Sequence, residues 1–133
     1  MKMQKKTMLI VLAVILALGA AVLVYYLVKV NNYQAKVENM TFTEIDIGDI
    51  PDGTYRGASD VDLIAVQVEV SVQDGRMVAI DLLQHKNGSG KAAEETINEM
   101  ISRQTTDVDA VSGATNSSKV IRKAVENALL GNE

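Results

Sequence analysis

The sequence predicts an α+β domain: a small antiparallel sheet packed on one face by two helices, preceded by one transmembrane helix. Three observations carry this. Met8 to Val28 run 21 residues without a charge. Ile64, Val66, Val68, Val70 and Val72 alternate strictly with other residues, the period of a half-buried strand. Two later segments repeat apolar residues at helical spacing.

At 1.5 Å per residue the charge-free run would span roughly 30 Å, the thickness of a bilayer's hydrocarbon core. A cleavable signal peptide is the competing reading, but its apolar region is usually only about 7–15 residues. Here the run is longer, and Tyr25 and Tyr26 sit where interfacial aromatics belong. We read residues 8–28 as an uncleaved anchor in the lipid bilayer. Lys2, Lys5 and Lys6 precede it, and Lys29 alone follows within six residues. The positive-inside rule then places the N-terminus in the cytoplasm and the C-terminal domain outside the cell membrane.

The chain divides into the cytoplasmic N-terminus and anchor (1–28), a juxtamembrane tether and lead-in segment (29–51), and a domain (52–133). Of thirteen basic residues, three precede the anchor, which leaves ten beyond it against all seventeen acids, about −7. That balance argues against nucleic acid and against anionic headgroups as partners. The chain has no cysteine. A lipoprotein anchor is therefore excluded, and the exported part must hold together without disulfides.

In the lead-in "TFTEIDIGDIPDG", Phe42, Ile45 and Ile47 alternate with acids up to the sole proline, Pro51, and predict a short extended segment. "GTYRGAS" predicts a first strand, and the alternating valines a second. Asp74-Gly75 marks a tight hairpin turn. "MVAIDLLQH" returns as a third strand with Val78, Ile80 and Leu82 on one face. "KNGSGK" is a glycine-rich connector. "KAAEETINEMISRQ" then places Ala92, Ala93, Thr96, Ile97, Met100 and Ile101 on one helical stripe. "TTDVDAV" predicts a short strand or extended segment. The last helix carries Val120, Ile121, Ala124, Val125, Ala128 and Leu129 on its stripe and ends at Gly131. Met77 and Met100 fall on these patterned elements and are expected in the core. Asp60 and Asp62 are expected as solvated loop charges.

The stretch "DAVSGATNSS", Asp109 to Ser118, stands out between patterned segments. Asn116 or Ser117 is placed to cap the free amides of the following helix. The same amides, with the positive end of the helix dipole, form an anion site. Gly113 permits close approach to the backbone, Ala114 keeps the wall low, and Thr115 holds a hydroxyl beside that end. On composition alone, caps and turn residues are the commoner reading of such a stretch.

The stretch resembles the flavinylation motif of FMN-binding domains. That family includes the periplasmic flavoprotein subunits of the sodium-pumping NADH:quinone oxidoreductase and of Rnf-type complexes. "PDGTYRG", "VQDGRMVAIDLLQHK", "GSGKAAE" and "AVENAL" follow in the family's order, covering about Asp52 to Leu130. The resemblance implies covalent FMN, joined as a phosphoester to Thr115 within Ser112-Gly113-Ala114-Thr115. Asn116, Ser117 and Ser118 would meet the phosphate through their amides. It also implies a separate flavin transferase that uses FAD as donor and recognises Asp109 with Ser112 to Thr115. In the family the loop after the third strand lies beside the flavin ring and often reads Glu-Thr-Pro-Gly-x-Gly. Here Asn87, Gly88 and Gly90 hold that place, so the glycines match while the Glu, Thr and Pro are missing.

His85, the only histidine, either contacts flavin or ends a strand at the surface. With a single histidine and no cysteine, a zinc or haem site is not expected. Lys86, Lys91 and Lys119 flank the expected site and would favour an anionic semiquinone or reduced form of the flavin. The exported part has no Trp, and in the folded core Tyr55 is expected as the only aromatic, so a deep aromatic pocket is not expected. A covalent tether would replace reversible affinity with a high effective concentration. The reading is a membrane-anchored electron carrier working with membrane redox partner proteins. Two alternatives differ in class: a flavin-free interaction module of the same fold assisting a redox complex, and an oxidoreductase with its own substrate.

Overall fold

The computed structural model describes residues 2–86 and 93–131. Helix α1 (Lys2–Glu38) runs unbroken through the apolar stretch and the polar residues after it. From Gln4 to Glu38 it is long and apolar enough to cross a membrane. Beyond Val28 it meets the domain. Tyr33 packs against the core and Val37 is buried in it. Lys36 Nζ reaches Asp62 Oδ2 at 2.8 Å, so Asp62 is a paired loop charge. Asp60 Oδ1 accepts the Asp62 amide at 2.8 Å and tightens the same loop.

The lead-in is not extended throughout. Asp46 accepts from the Gly48 amide at 2.9 Å and starts a single 3-10 turn, Ile47–Asp49, whose Ile47 is buried. Alternation in "EIDIGDI" is compatible with either conformation, and the short Asp cap decides it locally.

Strands β1 (Gly53–Asp60), β2 (Ala65–Gln73) and β3 (Arg76–Lys86) form one antiparallel sheet in the order β1-β2-β3. Asp74 and Gly75 both have positive φ, 53° and 72°, the geometry of a type I′ hairpin turn. Val66, Val68, Val70 and Val72 all point into the core.

Two irregularities in the β2–β3 register change which side chains of β3 point inward. Ser71 pairs with Ala79 but Val72 with Met77, so Val78 is the extra residue. Gln67 pairs with Gln84 but Val68 with Leu82, so Leu83 is the second. A bulge reverses the inside–outside alternation beyond it. Alternation puts Val78 beside Ile80 and Leu82, but it faces solvent at 53% exposure, while Met77 takes the buried place.

The core face is covered by α2 (Glu95–Arg103) against β3 and by α3 (Thr115–Leu130) across β1 and β2. The α3 stripe from Val120 to Leu129 is buried as the spacing predicts, and so are Met77 and Met100. Gly131, at φ 71°, ends α3. The segment between the helices forms no strand, although Thr106 and Val108 are buried. Among the described residues no strand edge is paired with it. Gln104 closes α2 with φ 53°, and its side chain hydrogen-bonds the Met77 backbone, accepting from N at 2.7 Å and donating to O at 2.8 Å.

Candidate functional site at the start of the last helix

The local sequence builds the loop before α3 from a turn. The Ala114 amide donates to Val111 O at 2.9 Å, with Ser112 and Gly113 between them. Gly113 has φ 82°, the third turn position at which glycine is favoured. Helix α3 then begins at Thr115, with Ala114 as its N-cap and no side-chain cap bond. The sequence points to Asn116 or Ser117 as the cap, but neither caps, because both already lie inside the helix. Ser118 takes over the stapling. Its Oγ accepts from the Val111 amide at 3.0 Å and donates to Ala114 O at 2.8 Å.

The first bond of the α3 ladder runs from Ser118 N to Ala114 O. The amides of Thr115, Asn116 and Ser117 therefore have no intrahelical acceptor, as at any helix start. Thr115, Ser112 and Gly113 are exposed, and among the described residues nothing stands within 4 Å of a Cβ built on Gly113. Ala114, Ser117 and Ser118 are buried, so their side chains serve the fold. The Asn116 amide nitrogen donates to Tyr33 Oη of α1 at 2.8 Å.

Thr115, Ser118, Lys119 and Arg122 share one face of α3, at helical offsets of three, four and seven. Along that face runs a groove of about 180 Å³, lined among others by Phe42, Thr96, Asp107, Asp109, Lys119 and Arg122. Arg122 is the hub. Its guanidinium lies 4.3 Å from the Phe42 ring centroid. Its Nη1 meets Asp107 Oδ1 at 3.0 Å and its Nε meets Glu126 Oε1 at 3.3 Å. Glu126 is fully buried, and its Oε2 also accepts the Thr43 amide at 3.1 Å.

Tyr55 is therefore not the only aromatic of the folded unit. Tyr33 and Phe42, both ahead of residue 52, pack at this site. Nothing local in the sequence announces this, whereas the place of Arg122 on the Thr115 face is readable from spacing. Lys119 lines the groove and Lys86 is exposed at the end of β3. Asn87, Gly88, Gly90 and Lys91 lie outside the described residues.

His85 does not end its strand at the surface. The bulge at Leu83 turns it to the core face opposite Val66, where its side chain is 6% exposed. Its Nδ1 lies 3.3 Å from Glu94 Oε1, and its buried Nε2 has no hydrogen-bond partner among the described residues.

A comparison with protein-family models matches residues 62–130 to the FMN-binding domain. The match spans the second and third strands, both helices and the Ser-Gly-Ala-Thr turn. Phe42, Tyr33 and the first strand fall outside it.

Proposed function

Because the chain belongs to the FMN-binding domain family, we propose that it is a membrane-anchored electron carrier with its domain outside the cytoplasm and FMN joined to Thr115. The link is a phosphoester, made as the Thr115 hydroxyl oxygen bonds to the FMN phosphorus of FAD. AMP leaves and the hydroxyl proton is released. A flavin transferase performs this, with exposed Asp109 as part of what it recognises.

One observation carries the reading. Thr115 is exposed at the first residue of α3, beside amides without intrahelical acceptors, on the face that leads into a groove bearing Lys119 and Arg122. Such an end favours a phosphodiester's charge through amides and helix dipole together. Pockets that enclose a drug-sized ligand measure roughly 300–1,000 Å³. A groove of about 180 Å³ would seat only part of FMN. Weak reversible binding makes a covalent tether useful, and the unenclosed remainder stays open to redox partners in the membrane. The flavin supplies the electron chemistry; Thr115 and the groove fix where it occurs.

The deciding measurement is intact mass on protein taken from a native-type membrane with the transferase active. The expected result is an FMN increment, lost in Thr115→Ala while the fold persists, with flavin absorbance that survives denaturation. An unmodified chain under those conditions would leave a flavin-free interaction module as the reading.

A further inference from the structure

We propose that the segment from Tyr33 to Thr43, which lies outside the family match, forms one wall of the flavin seat and clamps its attachment turn to the anchor helix. This rests on FMN being carried by Thr115. Two contacts place the segment there. Tyr33 Oη accepts from Asn116 Nδ2 at 2.8 Å, next in sequence to Thr115. The Phe42 ring lies 4.3 Å from Arg122 and lines the groove on the Thr115 face of α3.

Two further bonds make the segment a fixed part of the domain. Thr43 N donates to fully buried Glu126 at 3.1 Å, and Lys123 Nζ donates to Thr41 O at 2.8 Å. A backbone held at 41 and 43 leaves little freedom for the ring at 42. Phe42 thus offers an apolar face to a planar cofactor, while Arg122 behind it offers charge.

The clamp has a consequence for position. Tyr33 lies five residues past Val28, about 7.5 Å further along the helix axis at 1.5 Å per residue. A flavin on Thr115 is then held near the end of the apolar run instead of swinging on a loose leash.

The test uses the full-length chain in membranes of cells that make the transferase. Phe42→Ala, Phe42→Leu and Tyr33→Phe are compared with wild type and with Glu44→Gln, an exposed position in the lead-in. Intact mass comes first. A wild type without the FMN increment defeats the carrier reading and this proposal with it. With FMN present, iodide quenching of flavin fluorescence reads the wall. The quenching constant should rise about twofold in Phe42→Ala as a covering side is lost. It should stay near wild type in Phe42→Leu, which keeps apolar bulk, and in Glu44→Gln. Amide hydrogen exchange in a flavin-free Thr115→Ala background reads the clamp. Tyr33→Phe should speed exchange at residues 118–121, the first hydrogen-bonded amides of α3, by about three- to tenfold, the effect of one lost hydrogen bond. Flavinylated protein whose quenching is unmoved by Phe42→Ala, or exchange unmoved by Tyr33→Phe, overturns the proposal and leaves the carrier reading standing.

Discussion

A Cβ built on Gly57 would stand 2.8 Å from the Cα of Ala128 and closer still to Ala128 N and Ala124 O. All three are backbone atoms of α3, so no side chain can swing aside. The helix that carries Thr115 therefore lies directly on β1 at this glycine. Gly57→Ala is expected to cost about 3 kcal/mol, the upper end of the overpacking range. Urea unfolding in detergent checks this; a loss below about 1 kcal/mol would mean that α3 lifts off the sheet freely.

Glu126 ties the lead-in segment to α3. Its carboxylate accepts from Thr43 N and Arg122 and forms an ion pair with Lys123 at 3.6 Å. Glu126→Leu is expected to cost about 2 kcal/mol, less than a fully buried pair because Arg122 and Lys123 keep contact with water. Glu126→Gln should lose less, since its amide oxygen still accepts from Thr43. Equal losses for both variants would show that charge, not the bond to Thr43, matters here.

His85 offers a stability test with an unusual sign. Among the described residues its buried Nε2 has no partner, and a buried nitrogen left so costs about 1–3 kcal/mol of desolvation that an apolar residue avoids. In flavin-free Thr115→Ala protein, His85→Leu is expected to be neutral or mildly stabilising. Thermal unfolding of the pair decides it. A clear drop in Tm would mean that Nε2 has a partner after all.

Lys119 lines the groove one turn beyond Thr115. A nearby cation favours the more negative, reduced flavin and so raises its potential. Lys119→Gln should lower the midpoint by about 10–20 mV, the equivalent of ~0.5–1 kcal/mol for two electrons from a half-solvated charge. Redox titration of the flavinylated protein reads this directly, and an unmoved midpoint would remove Lys119 from the tuning groups.

Much of the architecture was legible along the chain because its causes are local. Alternating valines from Val66 to Val72, the Asp74-Gly75 turn and the α3 stripe each report a period that one element must satisfy alone. The bulges were not legible. Val78 and Leu83 satisfy strand alternation as well as their neighbours do, and only pairing against β2 decides which residue is left over. His85 followed from that decision: simple alternation turns it outward, and the register turns it in.

The sequence by itself determined that a long apolar helix precedes a three-stranded sheet with two helices, and that a family motif ending in Thr115 leads into the last helix. Tertiary structure alone decided what surrounds that threonine. Tyr33 and Asn116 are 83 residues apart in the chain, as are Thr43 and Glu126. Contacts across such separations leave no periodic trace, because they depend on where whole elements pack and not on the spacing within any one of them.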